Sequence, residues 1–115
     1  MTTIRVARVY DPPAPEDGTR VLVDRLWPRG ISKADARVDE WPKALTPSNE
    51  LRRWYHAGEG PYEEFRTRYA AELTAPAAAE ALRSLRTLAA QGPVTLLTAV
   101  KNPAESHVSV LLEHL

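Results

Sequence analysis

Val94-Thr95-Leu96-Leu97-Thr98-Ala99-Val100 is the clearest strand in the chain, a run of β-branched and aliphatic residues without glycine, proline or charge. Gly92-Pro93 stops the segment before it. After it, Asn102-Pro103-Ala104-Glu105 places a capping side chain, a first-position proline and a reciprocating glutamate. Val108, Leu111, Leu112 and Leu115 then recur at helical spacing, which predicts an amphipathic last helix running to the end.

Three helical segments lead into that strand. Pro76 opens one with Ala81, Leu82, Leu85, Leu88 and Ala89 inward. Pro61 opens another, with Glu63 and Glu64 at the positive end of its dipole and Tyr62, Phe65, Tyr69 and Leu73 as its apolar stripe. The earliest begins with Thr46 as cap and Pro47 in first position, carries Leu51, Trp54 and Tyr55 on one face, and breaks at Gly58 and Gly60. From Ile31 to Lys43 the pattern is irregular and charged, a long functional loop with at most a short helix near Lys33 to Val38. Nearer the start, Ile4 to Tyr10 reads as a strand ended by Asp11-Pro12-Pro13-Ala14-Pro15, and Glu16-Asp17-Gly18 as a turn. Val21-Leu22-Val23 is apolar without alternation, the mark of a strand covered on both faces.

Strands separated by helices predict an α/β fold: a small single domain over residues 1–115, with a central, largely parallel sheet of about three strands flanked by helices. The link from Tyr10 to Val21 is short for a helical crossover, so the first two strands are either antiparallel or joined by a compact turn. With 43% hydrophobic residues the chain can line a core, which excludes disorder as its main state. Fifteen basic and fifteen acidic side chains cancel, leaving no overall footprint for nucleic acid or acidic membranes. The absence of cysteine excludes disulfides, thiolate nucleophiles and Cys-ligated metal. No apolar leader or spanning run occurs, so a soluble, cytoplasmic protein without a membrane partner is expected.

Ligands of open α/β sheets bind beyond the carboxyl ends of parallel strands. Here the second strand runs into Asp24, Arg25, Trp27 and Arg29, and the last strand into Lys101 and the following helix. If the strands are parallel, Arg25, Arg29 and Lys101 meet on one rim suited to a phosphate or carboxylate. Pro28 and Gly30 fix the turn that directs the two arginines. Trp27 offers a stacking face, Asp24 a base or orienting group, and His107, in the second turn of the last helix, a proton donor or acceptor. Structural alternatives accompany each: Asp24 as a strand-end hydrogen-bond acceptor, the arginines as neutralisers of Asp24, Asp39 and Glu40, Trp27 as core, and His107 as an exposed helical residue. His56 and His114 are weaker candidates, and no histidine pair has zinc spacing, so no metal site is assigned and the cofactor stays open. The glycine-rich phosphate motifs are absent, which argues against a conventional Rossmann or P-loop enzyme.

Three function classes follow: a small enzyme or ligand-binding domain for a phosphate- or carboxylate-bearing ligand; a nucleic-acid-associated protein; and a non-catalytic interaction module using its long loop. The second draws on twelve arginines against three lysines, and on residues 20–53, where eight basic side chains face five acidic ones.

The run Asp17-Gly18-Thr19-Arg20-Val21-Leu22-Val23-Asp24-Arg25-Leu26-Trp27-Pro28-Arg29-Gly30 with Ser32-Lys33 resembles the signature of the YeaO-like proteins of the domain-of-unknown-function 488 family. The resemblance continues through Glu40-Trp41, Thr46-Pro47-Ser48, Glu50-Leu51-Arg52, Trp54, Glu64-Phe65, Tyr69, Glu72-Leu73, Val94 to Leu97 and Lys101, nearly the whole chain. It implies a small α/β domain with a central, largely parallel sheet, and assigns no activity, substrate or catalytic residue. Two departures stand out. Relatives tend to carry an Asn-rich turn near the last helix where this chain has Ser106-His107-Val108, and other branches carry a cysteine motif where it has Thr98-Ala99-Val100-Lys101.

Overall fold

The computed structural model describes residues 4–115. Its strands are β1 (Ile4–Arg8), β2 (Thr19–Leu22) and β3 (Val94–Thr98). Its helices are α1 (Lys33–Ala36), α2 (Asn49–His56), α3 (Tyr62–Glu72), α4 (Pro76–Gln91) and α5 (His107–Glu113). The protein is α/β, with one three-stranded sheet in the order β1-β3-β2 and both pairings parallel. β3 lies in the middle and is buried along its whole length, which is why its sequence is apolar without alternation. None of the helices described is long and apolar enough to cross a membrane.

The alternative of antiparallel first strands is resolved by β3 lying between them: both run parallel to it and therefore to each other. A ten-residue link can still return the chain. Residues 9–18 reach about 33 Å when extended, whereas backtracking along β1 takes roughly 16 Å and stepping over β3 roughly 10 Å. The link crosses β3 through a single 3₁₀ turn, Pro15–Asp17, whose Asp17 carbonyl accepts from the Thr95 hydroxyl at 2.9 Å. Gly18 follows with φ +64°, and a Cβ there would lie 2.1 Å from the Pro93 carbonyl oxygen, so only glycine passes this point.

Side-chain alternation along the strands divides two cores. Val21, Val23, Val94 and Leu96 join Phe65, Tyr69, Leu82, Leu85 and Leu111 beneath the helices. Val9, Leu22 and Leu97 point the other way, against Ala36, Trp27, Ile31, Val38 and Trp41. The segment expected to be a functional loop is thus the cover of the second sheet face. Its α1 is shorter than the Lys33 to Val38 expected, because Arg37 turns to φ +47° and ends it.

Two helix starts differ from expectation, and a serine takes the cap in both. Ser48, not Thr46, caps α2: its Oγ accepts from Leu51 N at 3.1 Å and is itself fixed by Glu72 at 2.6 Å. Thr46 instead closes the Lys43–Leu45 turn through a 2.7 Å bond to Lys43 O. After β3, Asn102 starts only the 3₁₀ turn Pro103–Glu105 and makes no side-chain cap. Ser106 is extended and caps α5 through Val108 N at 3.1 Å, which places His107 at the first helical position rather than in the second turn.

The loop-side cover is fastened by Arg20, whose side chain is 0% exposed. Its Nη1 donates to Asp17 Oδ2 at 2.6 Å, its Nη2 to Ala36 O at 2.9 Å, and its Nε to the Ala36 and Arg37 carbonyls at 3.2 Å each. The Ala14 backbone N–H, aided by the Arg20 guanidinium, holds the Asp17 carboxyl below its ordinary pKa despite burial. Arg20→Met leaves that buried carboxylate with only the half-exposed Arg5, 3.9 Å away, as a cation, and a loss of about 3–5 kcal/mol in urea unfolding is expected. Adding Asp17→Asn restores part of it. A single-variant loss below about 1 kcal/mol would contradict this role.

Candidate functional site

The carboxyl ends of β2 and β3 open onto a cavity of about 330 Å³. Asp24 and Arg25 reach it from β2, Ala99 and Val100 from β3, His107 from the start of α5, and Arg52 and His56 from α2. Leu26, Trp27, Pro28 and Arg29 complete it on one side and Pro47 on another.

Asp24 is the hub of the floor. Its Oδ1 accepts from Thr98 Oγ1 at 2.7 Å and lies 3.0 Å from His107 Nε2, and its Oδ2 accepts from Ala99 N at 2.7 Å. Its backbone carbonyl accepts from Trp41 Nε1 at 2.7 Å, which ties the loop to the strand end as well. The carboxylate thus sews together the ends of two parallel strands beyond the point where the ladder stops. His107 Nε2 is also 2.9 Å from Val23 O. With two acceptors on that nitrogen, Nε2 carries the proton, and Nδ1, which makes no hydrogen bond among the described residues, is the ring atom left for a ligand. Burial alone pushes the Asp24 carboxyl up, but the His107 bond, the Ala99 N–H and the Thr98 hydroxyl outweigh it and leave the pKa lowered.

The cations stand differently. Arg25 donates through Nε to Pro47 O at 3.1 Å, which leaves its terminal nitrogens available. Arg29 is exposed, and neither it nor Arg25 forms a salt bridge among the described residues. Asp39, considered as their neutraliser, instead accepts from Arg20 N at 2.8 Å. Trp27 is half-buried, donates to Ile31 O at 2.9 Å and meets Trp41 edge-on with centroids 5.5 Å apart, so it forms part of the second core and of the cavity wall at once. Lys101 is exposed and lies outside the lining, one residue beyond Val100.

Arg52, which was not a candidate, and His56, which was a weaker one, line the same cavity. They stand four apart on the face of α2 away from Leu51, a spacing that puts both side chains together. Arg52 Nε is buried with no hydrogen-bond partner, and its Nη2 makes only a long 3.4 Å contact to Asn49. The lining therefore holds three guanidinium groups against one carboxylate, and that carboxylate is already occupied.

A family model described as the inactive DUF488-N3 subclade matches residues 3–115. An uncharacterized protein of Mycobacterium tuberculosis (strain H37Rv) is 49% identical over 112 residues, covering 97% of this chain and 92% of that protein. The uncharacterized protein YeaO of Escherichia coli (strain K12) is 48% identical over 112 residues, covering 97% of this chain and 96% of YeaO. No solved structure matches.

Because its folded pKa is depressed, Asp24 contributes stability that is fully present above its unfolded value and is lost as pH falls through the folded one. Asp24→Asn should therefore cost about 1.5–3 kcal/mol near neutral pH. The gap to the parent should narrow as pH drops below about 4 in urea unfolding; a gap that widens on acidification would show that the carboxylate is not the stabilising form.

Proposed function

The chain belongs to the inactive DUF488-N3 subclade, and from that premise we propose that it binds a small phosphate- or carboxylate-bearing ligand in the cavity beyond β2 and β3, and holds it without transforming it. The observation that carries this reading is the imbalance of the lining. Arg25, Arg29 and Arg52 all line it, with no carboxylate paired to them among the described residues. Guanidinium forks match the geometry of planar carboxylates and of phosphate oxygens, and the terminal nitrogens of Arg25 and Arg52 are the donors left for one.

Asp24 and His107, considered from sequence as catalytic groups, take a different part in this reading. Asp24 has both oxygens engaged, so it positions His107 rather than serving as a free base. His107 offers Nδ1 as an acceptor to a ligand hydroxyl or N–H when neutral and a donor to the anion when protonated. Trp27 bounds the ligand, and Lys101 adds attraction from outside the lining. A subclade described as inactive accords with recognition in the absence of turnover.

A ligand at a hundred times its Kd stabilises the folded state by roughly 2.7 kcal/mol, a rise in Tm of about 10 °C for a domain of this size. Thermal-shift measurements with inorganic phosphate, sugar phosphates, nucleotides and small carboxylates should find such a rise, and Arg29→Ala or Arg52→Ala should reduce it sharply. If no anion moves the midpoint, the reading fails. Submicromolar oligonucleotide binding with a steep salt slope would instead favour the nucleic-acid alternative.

A further inference from the structure

We infer that the anion recognised here is carried on an apolar body, an aromatic ring above all, rather than on a polyol; this rests on the anion-binding reading of the same cavity. Leu26 is the most exposed large hydrophobic side chain among the described residues, at 58%, and it lines the cavity. It is held there by its neighbours: Trp27 is tied to Ile31 O, and Pro28 is buried, so the turn presents Leu26 outward. A lone exposed leucine needs no explanation. This one continues a wall formed by Trp27, Pro28, Pro47 and Val100, and apolar atoms supply most of the cavity lining.

Two physical arguments turn that wall into a statement about the ligand. At about 330 Å³ the cavity falls within the range of pockets that enclose ring-sized ligands, so a bare inorganic anion leaves most of it unfilled. A sugar phosphate has His107 Nδ1 as one hydroxyl partner, but hydroxyls laid against Leu26, Pro28 and Val100 meet side chains that offer them no hydrogen bond. A ring in the same place buries apolar surface on both sides and presents its face to a guanidinium. Covering about 60 Å² of apolar surface corresponds to about tenfold in affinity.

Calorimetric titration of the full chain with inorganic phosphate, ribose 5-phosphate and phenyl phosphate tests this. Phenyl phosphate should bind about tenfold tighter than either of the others, with the more negative heat-capacity change. Leu26→Ser should erase that advantage, so that phenyl phosphate and inorganic phosphate measured on the same variant bind alike; Arg52→Ala should weaken all three. Ribose 5-phosphate binding as tightly as phenyl phosphate, or an advantage that survives Leu26→Ser, overturns the inference while the anion site stands. Binding by none of the three overturns both.

Discussion

Arg20 is the constraint on which the cavity depends. One face of the sheet is covered by helices that bury aliphatic and aromatic side chains, but the other is covered by irregular chain whose only α-helix has four residues. Such a segment cannot satisfy its own backbone, and its apolar cluster is small. The guanidinium resolves this by donating to two loop carbonyls and to the Asp17 carboxylate at once, with no exposure to water. A buried ion pair of this kind is weak evidence for added stability, since desolvation opposes it. Its consequence is placement: with α1 held down, Trp41 reaches the Asp24 carbonyl and Trp27 packs against Trp41, which sets the wall from Leu26 to Arg29.

What could be read from sequence was whatever a local pattern determines. β3 announces itself because a central strand covered on both faces has no reason to alternate, and α3 and α4 because their prolines and apolar stripes are self-contained. The parallel sheet and the gathering of Asp24, Arg25 and Arg29 at one strand end followed from that. What escaped was decided by partners far along the chain. Thr46 and Ser48 are equally good caps on paper; Glu72, from α3, selects Ser48 by fixing its hydroxyl. Asn102 loses to Ser106 because the chain turns once more before α5 begins. Arg20 is one charged residue at the start of an apolar strand, and nothing in its immediate context says that its acceptors stand 16 and 17 residues on. Arg52 and His56 were accessible in principle through their four-residue spacing, but that signal points to a shared face without saying what the face looks onto.

The zero net charge conceals how the charges are distributed. Arg66 with Glu113, Arg68 with Glu64 and Arg20 with Asp17 account for much of the pairing, and each of those pairs lies away from the cavity. The lining itself has three arginines and one aspartate, a formal excess of two positive charges before either histidine is counted. In the proposed anion-binding reading, a neutral protein with a cationic pocket concentrates its attraction for an anion at one place instead of spreading it over the surface.

Asp24 and His107 resemble, in isolation, an acid–base pair. The surrounding bonds give that pair another meaning. Parallel strands end without the turn that joins antiparallel ones, so their last carbonyls and N–H groups need other partners. Here Ala99 N finds Asp24, Val23 O finds His107, and the Thr98 hydroxyl donates to Asp24 while accepting from Val100 N, which closes the sheet end and leaves a defined floor. A carboxylate that must hold an N–H, a hydroxyl and an imidazole in place cannot give up those bonds during a proton transfer without loosening the cavity it builds. On the anion-binding reading proposed above, the same contacts that stiffen the floor leave the arginines and Nδ1 of His107 as the groups that meet a ligand.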